Sequence, residues 1–302
     1  MTELITSFGH FGTLAHGPVL RRKCQDTESA ELANVLAAYE QFFVAATSIS
    51  FDLNDTEARH AAISSLTSHL NHYRNIALPI LEARDNSGQE NLRSSILEEF
   101  FQLLLYPLTM SVRDNHAQAL TLGKANSYVS LTFTPRSFNA LFDNPVPHIH
   151  TKDQDFVLGC TVELSLNIRG AQTEGHERAV TEVVIPVIAI ECKTYIERNM
   201  LDSCAGTAKR LKTAMPYCLY IVAAEYMKMD EAYPELTDID ELFILARASN
   251  ADRLRYKREN RAPHHIHADL IKDIFDMASI HLNKLWWTPE DALVRGKVIA
   301  RP

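Results

Sequence analysis

One stretch of the sequence, from Val183 to Tyr195, constrains the fold more than any other because it combines a buried-strand pattern with charge. It reads VVIPVIAIECKTY, so seven apolar residues and a proline precede Glu191 and Lys193. A short apolar run of this kind is typical of a buried β-strand. Alternate residues of a strand face the same side, so the carboxylate and the ammonium share one face near the strand's end.

The segment before this strand predicts its partner. Every even-numbered residue from Phe156 to Ile168 is apolar, whereas the odd-numbered positions include Asp155 and Glu163. That period of two predicts a half-buried strand. If residues 169–177 form the turn of a hairpin, antiparallel pairing places Asp155 opposite Glu191. The apolar even-numbered residues of both strands then lie on the opposite face.

Two carboxylates and a lysine therefore converge at one end of the predicted hairpin. Neighbouring carboxylates repel each other unless a cation compensates them. A hard divalent ion such as Mg²⁺ is suited to that position, because it binds carboxylates, carbonyls and water. The lysine can orient a water and neutralise charge that develops on a phosphate. The pattern predicts phosphodiester hydrolysis.

Asp155 followed by Glu191-Cys192-Lys193 resembles the PD-(D/E)xK nuclease superfamily, and type II restriction endonucleases in particular. The resemblance implies that Asp155, Glu191 and the main-chain carbonyl of Cys192 hold Mg²⁺ and that Lys193 serves the attacking water. Gln154, rather than a proline, precedes the aspartate. Asp153 has the same strand parity, so the choice between Asp153 and Asp155 stays open.

Many members of that superfamily add a glutamate from an earlier helix. The segment SSILEEFFQLLL is similar to that helix, which implies a role for Glu98 or Glu99. Glu98 is the better match, because Leu97, Phe101 and Leu104 complete the apolar pattern around it. The choice between the two glutamates stays open at the level of sequence.

The order of elements predicts a mixed α/β class. Apolar residues at helical spacing predict three N-terminal helices, and strands and further helices follow after about residue 126. Residues 143–150 predict a proline-rich turn. The resemblance implies a restriction-endonuclease-like core of a mixed β-sheet flanked by helices. We expect residues 1–88 to form a helical N-terminal region for DNA recognition or dimerisation, and residues 89–302 to form the nuclease core with a C-terminal helical extension.

The charge distribution identifies candidate DNA contacts. The formal net charge of -8 argues against a protein that coats nucleic acid nonspecifically, but it is compatible with a local basic surface. The basic segment, residues 247–261, is rich in cations, and two lysines of a predicted helix are a second candidate. The predicted DNA-binding residues are Arg247, Arg253, Arg255, Lys257, Arg258, Arg261, Lys209 and Lys212. The alternative interpretation is a solvated face that binds nothing.

The remaining features describe the setting in which such an enzyme would work. The sequence contains no long apolar run and no signal peptide, and its five cysteines are scattered, which favours a cytoplasmic protein without a membrane partner. The expected partners are double-stranded DNA and a second chain, as homodimer or heterodimer, since one site per chain must cut two strands. The alternatives are a noncatalytic α/β DNA-binding or interaction module, and a repair or defence nuclease on the same core.

Overall fold

The computed structural model describes residues 14–27, 29–84, 92–110, 119–143, 146–165, 180–283 and 289–296. The predicted turn at 169–177 lies outside the described residues. In chain order the helices and strands are α1 (Gly17–Thr27), α2 (Ala30–Ser48), α3 (Thr56–Ala83), α4 (Ser95–Leu105), β1 (Leu120–Phe133), α5 (Ala140–Asp143), β2 (Pro147–Ser165), β3 (Val180–Ile196), α6 (Arg198–Ala214), β4 (Leu219–Met227), β5 (Glu241–Ser249), α7 (Asn250–Arg258), α8 (Ala268–Asn283) and α9 (Pro289–Arg295).

The predicted N-terminal helices are confirmed as α2, α3 and α4. Helix α3 begins after its N-cap residue Asp55, whose carboxylate accepts hydrogen bonds from the main-chain N–H groups of Glu57 and Ala58. Helix α1 was not predicted, because its sequence GPVLRRKCQDT is short and largely polar. Among the described helices, none has the length and apolar character needed to cross a bilayer.

The sheet has five strands in the order β1-β2-β3-β4-β5. Strands β1, β2 and β3 are antiparallel neighbours, whereas β3, β4 and β5 run parallel. Helix α6 makes the connection between β3 and β4 that a parallel pair requires. This mixed sheet flanked by helices confirms the predicted mixed α/β class.

The predicted turn at residues 143–150 is partly wrong. Strand β2 already begins at Pro147, and Leu131 and Ile149 are paired across the β1–β2 ladder. A proline is tolerated at the first position of a strand because its missing N–H interrupts no ladder bond there. Strand β2 is therefore longer than its alternation suggested, and its first half extends away from the predicted site.

The register of the β2–β3 hairpin agrees with the sequence prediction at the end that carries the charges. Phe156 pairs with Ile190 and Leu158 with Ile188, and these apolar side chains are buried together. A β-bulge follows, after which Gly159 pairs with Pro186. A Cβ atom at Gly159 would lie 2.3 Å from the carbonyl oxygen of Ile185, so glycine is required there.

The alternation predicted beyond this bulge is only partly observed. Cys160, which was expected on the apolar face, is exposed, and Val162 and Leu164 are only half-buried. The bulge adds one residue to β3 and shifts the pairing, so the two halves of the hairpin are out of phase.

The two faces of the sheet contribute to separate apolar clusters. Helices α2, α3, α4 and α8 cover one face, where Phe100 and Phe275 pack in the same cluster as Phe156. Helix α6 covers the other face through residues such as Leu211, which packs with Tyr220. The site lies where these layers meet, so its side chains are carried by packed, rigid elements.

A buried ion pair joins the N-terminal helices to the sheet. The Arg74 guanidinium of α3 donates to the Glu225 carboxylate of β4, and both side chains are almost fully buried. Breaking such a pair from one side typically costs about 3–5 kcal/mol, because the remaining charge is left without compensation. Helix α3 is therefore held at a defined position over the carboxyl end of β4.

Candidate active site

The structure brings Asp155, Glu191 and Lys193 together at the end of the β2–β3 pairing next to the Phe156–Ile190 pair. The Lys193 ammonium donates to Glu191 Oε1 at 2.6 Å and to Asp155 Oδ2 at 3.2 Å. The two carboxylate oxygens cannot be farther apart than the sum of these distances. That is shorter than about 8 Å, beyond which one hard ion could no longer reach both groups. The three groups are therefore close enough to act on one centre.

A second β-bulge directs Asp155 into this position. Between the pairs Gly123–Val157 and Ala125–Gln154, one residue of β1 faces two residues of β2. Such a bulge re-aims a side chain, and bulges are common next to active sites. Asp155 Oδ2 also accepts a hydrogen bond of 2.9 Å from the main-chain N–H of Cys192, which fixes the carboxylate against β3.

The alternative aspartate lies in a different environment. Asp153 forms a long ion pair of 3.7 Å with Lys124, and 58% of its side chain is exposed. Asp155, by contrast, contacts Lys193 and has 21% of its side chain exposed. The geometry favours Asp155 as the member of the site.

The two candidate glutamates of α4 are also distinguished by their surroundings. Glu98 lines the same cleft as Asp155 and Lys193. Glu99 points to the N-terminal helices, where it accepts hydrogen bonds from the Tyr39 hydroxyl and from the main-chain N–H groups of His16 and Gly17. The geometry favours Glu98 for the site, and Glu99 stabilises the start of α1.

The cleft has a volume of about 420 Å³. Its lining combines carboxylates, two lysines and small polar groups, namely Ser94, Glu98, Lys124, Asp155, Cys192, Lys193, Thr194, Tyr195 and Met200. Glu191 lies beside it and contacts Lys193 and, at 3.5 Å, the Tyr220 hydroxyl. Sequence reasoning did not identify Lys124, because only the bulge brings β1 to this position.

Burial and neighbouring charges shift several pKa values in the cleft. Burial disfavours the charged form of Lys193, but the carboxylates of Asp155 and Glu191 outweigh it and raise the pKa of the ammonium. Burial, followed by the charge of Asp155, raises the pKa of Glu98 to about 7, although Lys124 and Lys193 oppose the rise. Burial also raises the pKa of the Cys192 thiol, which makes it a poor nucleophile.

The donor set suits a hard divalent cation. Among the described residues, no group of three or more His, Cys, Asp or Glu forms a metal cluster. The carboxylates of Asp155 and Glu191 nevertheless both contact the ammonium of Lys193. Asp155, Glu191 and the carbonyl of Cys192 offer the oxygen ligands that Mg²⁺ prefers, and water completes such sites. The residues present therefore fit the ion.

The basic segment lies at the same edge of the sheet as the cleft. Ile196, Met227 and Ser249 are aligned in the parallel ladders, so the carboxyl ends of β3, β4 and β5 meet there. Helix α7 starts at the next residue, Asn250. Its cations therefore flank the end of the sheet where Tyr195 borders the cleft.

The cations of the basic segment differ in their contacts. Arg253 is largely buried against Glu82 of α3, and Lys257 donates to the main-chain carbonyl of Glu82. Lys257 and the remaining arginines are exposed, and each arginine has a partner of its own. Arg247 pairs with Asp269, Arg255 with Asp252, Arg258 with the Leu254 carbonyl, and Arg261 with Glu259 and the ring of Tyr256. The exposed arginines can contact a ligand more readily than Arg253.

The two lysines of α6 are placed differently. Lys212 pairs with Asp240, just before the amino end of β5. Lys209 lies one turn earlier in α6 and is exposed. The structure therefore puts both toward the edge of the sheet opposite the basic segment and does not bring them to the cleft.

Comparisons with known proteins identify a family and a similar fold. The model of a family described as Bpu10I restriction endonuclease matches residues 89–296. Three chains of solved structures match, among them one from native BbvCI as an A2B2 tetramer at low resolution. Its TM-score is 0.61 at 20% identity over 88% of this chain and 93% of that chain, which supports the fold. No curated protein matches.

Proposed function

Since the chain belongs to the Bpu10I restriction endonuclease family, we propose that it hydrolyses phosphodiester bonds of double-stranded DNA at a specific sequence, as a Mg²⁺-dependent type II enzyme. One observation carries this proposal. The Lys193 ammonium bridges Asp155 and Glu191 beside a cleft that Glu98 also lines. A nuclease site needs this combination of oxygen ligands and a cation next to open space.

Each residue has a proposed role in the reaction. Asp155, Glu191 and the Cys192 carbonyl hold Mg²⁺, which when bound supplies positive charge that stabilises the phosphate and makes a nearby water easier to deprotonate. Lys193 orients that water and donates hydrogen bonds to the phosphate as negative charge develops on it. Glu98 assists from α4 by accepting a hydrogen bond from water in the cleft. Burial of the cleft strengthens all of these interactions.

The proposed DNA surface is the carboxyl edge of the sheet. The exposed arginines of the basic segment, Arg247, Arg255, Arg258 and Arg261, contact phosphates or bases there. Lys257 and Arg253 support them through Glu82, and their positions beside the cleft favour this assignment over a solvated face. Lys209 and Lys212 lie toward the other edge and are the weaker candidates of the predicted set.

We also propose that the chain acts with a second chain. One catalytic centre per chain must be matched by another to cut both strands. The A2B2 assembly of BbvCI supports a multi-chain enzyme, either homomeric or heteromeric. Residues 1–88 form the region for recognition or dimerisation and residues 89–302 the catalytic part, a division that the family match over 89–296 supports.

The direct test is cleavage of supercoiled plasmids with and without Mg²⁺, followed by mapping of the new ends. A supercoiled plasmid reports a cut in one strand, so the test does not require two active sites. We expect discrete ends, formed only with the metal. Lys193→Ala should abolish cutting, with a loss of about 10²-fold or more, and leave binding in Ca²⁺ nearly intact. Cutting by Lys193→Ala at the wild-type rate would refute the assignment.

A further inference from the structure

We propose that Lys124 is a second phosphate-binding lysine of the cleft and contacts a non-bridging oxygen of the phosphate that is cut. This inference rests on the proposed nuclease function and adds a group on β1 to it. Lys124 lines the same cleft as Glu98, Asp155 and Lys193. Among the described residues, Lys124 and Lys193 are the two lysines that border the space where a phosphate would enter.

The bulge of the β1–β2 ladder fixes the position of Lys124. Gly123 pairs with Val157 and Ala125 with Gln154, so Lys124 alone faces Asp155 and its neighbour. Gly123 adopts φ +127°, a conformation that a residue with a side chain rarely takes. The adjacent main chain is held to α4, because the Gln102 amide donates to the Leu122 carbonyl at 3.0 Å. Lys124 therefore starts from a fixed backbone directly across from Asp155.

The contacts of the two lysines suit them to different tasks. Lys193 is held by two carboxylates at 2.6 and 3.2 Å, and 26% of its side chain is exposed. Lys124 has a longer ion pair, 3.7 Å to the exposed Asp153, and 38% of its side chain is exposed. Exposed pairs of that kind contribute little to stability, so exchanging Asp153 for a phosphate costs little. Lys124 is therefore the cleft lysine that can leave its carboxylate partner and pair with a phosphate instead.

The chemistry gives such a cation a defined role. In hydrolysis a water oxygen forms a bond to phosphorus, the bond from phosphorus to the leaving sugar oxygen breaks, and one water proton passes to solvent or to the leaving oxygen. The negative charge on the non-bridging oxygens is then stabilised by two ammonium groups, that of Lys193 on β3 and that of Lys124 on β1. Lys124 keeps all of its protons throughout. A fixed donor aimed at developing charge in a partly buried cleft contributes to the rate more than to binding.

The experiment compares Lys124→Met, which removes the charge and keeps the length of the side chain, with Lys124→Arg and Asp153→Asn. Single-turnover plasmid nicking gives the rate, and binding in Ca²⁺ gives the affinity. We expect Lys124→Met to slow cutting by about 10²-fold with little change in affinity. Lys124→Arg should recover most of the rate. Asp153→Asn breaks the ion pair without removing the lysine, so it should cut at least as fast as wild type.

A second measurement locates the contact. Replacing one non-bridging oxygen of the cut phosphate by sulfur, in each of the two stereoisomers, should for one isomer slow cutting by wild type more than cutting by Lys124→Met. Equal slowing of both proteins by both isomers would place Lys124 elsewhere and overturn the proposal.

The outcomes separate this proposal from the function on which it depends. If wild type cuts, Lys193→Ala does not and Lys124→Met cuts at the wild-type rate, only the role of Lys124 is refuted. Weaker binding of Lys124→Met to all sequences with an unchanged rate in the bound complex also refutes it, because the lysine would then touch a distant phosphate. A wild-type protein that cuts no DNA, either alone or together with its second chain, refutes both proposals.

Discussion

Glu98 and Glu99 are consecutive residues of α4, yet their carboxylates lie in different surroundings on different sides of the helix. Glu98 borders the cleft with Asp155, whereas Glu99 is enclosed by Tyr39 and the start of α1. Successive residues of a helix point about 100° apart, so one turn of α4 can serve the site and the core at once. This relationship gives a matched pair of variants.

Glu98→Gln should slow DNA cutting by at least about tenfold while leaving stability unchanged or slightly raised, because an amide is easier to bury than a carboxylate. Glu99→Gln should lower stability and leave the cutting rate nearly unchanged. It weakens the hydrogen bonds of a buried acceptor and should lower the free energy of unfolding by about 1–3 kcal/mol. Urea unfolding and plasmid nicking measure the two effects. Equal losses of activity at equal stability would contradict the division.

Asp155→Asn should raise the Mg²⁺ concentration needed for half-maximal cutting by more than about tenfold. Changing a group that only hydrogen-bonds to a metal ligand already lowers metal affinity by about tenfold or more, and Asp155 is proposed as a ligand itself. Glu191→Gln should act in the same direction, because each removes one negative oxygen ligand from a hard cation. Asp153→Asn is the matched control and should leave the Mg²⁺ dependence as in wild type. A metal titration of the cutting rate decides, and a strong effect of Asp153→Asn alone would show that the wrong aspartate was chosen.

The basic segment should make salt-dependent contacts to DNA. Arg255→Ala combined with Arg258→Ala should flatten the slope of log affinity against log salt by about 2, since each phosphate contact contributes about 0.9. Lys209→Ala combined with Arg210→Ala removes the same charge from exposed positions on α6 and is the control. A salt titration of binding in Ca²⁺ distinguishes them. The same slope in both double variants would mean that only net charge matters.

His16 should make the protein less stable in acid. Its imidazole is buried between Ser95 and Tyr73, and burial lowers its pKa to about 3, against 6.5 when exposed. Below pH 6.5 the imidazole of His16 therefore binds a proton in the unfolded chain but stays neutral in the folded chain. Stability is lost as the pH falls from about 6.5 toward 3, by up to about 1.4 kcal/mol per pH unit.

Urea unfolding between pH 7 and pH 5 measures this slope. His16→Gln, which cannot be protonated, should flatten it even if its stability at pH 7 is lower. An equally steep loss in the variant would assign the acid sensitivity to other groups.

The end of the hairpin that carries the candidate site could be predicted from the sequence because local and long-range signals agree there. Alternation identifies both strands, and the pairing of Phe156 with Ile190 follows from matching their apolar faces. Helix α4 was predictable for the same reason, since its apolar spacing is strong. The sequence left open the choice between Glu98 and Glu99, because it depends on which parts of the fold pack against each side of helix α4.

The features that were missed depend on contacts distant in sequence. The bulge at Asp155 lies beside Gly123, which has φ +127°, and the Leu122 carbonyl before it accepts a hydrogen bond from Gln102 of α4. By sequence Lys124 is an ordinary strand lysine, and the pairing of β1 with β2 at this bulge places it in the cleft. The sequence also could not show which arginines of the basic segment are buried and which are exposed. Arg253 pairs with Glu82, and Glu82 belongs to a helix far away in the chain.

The offset between Leu158 and Gly159 divides the β2–β3 hairpin into two independently phased halves. On the side of the candidate site Phe156 pairs with Ile190, whereas on the outer side pairing restarts with Gly159 and Pro186. A residue gained or lost in the outer half would alter only that half's own alignment. We therefore expect the outer half of the hairpin to tolerate a change in length while Asp155 and Glu191 keep their orientation.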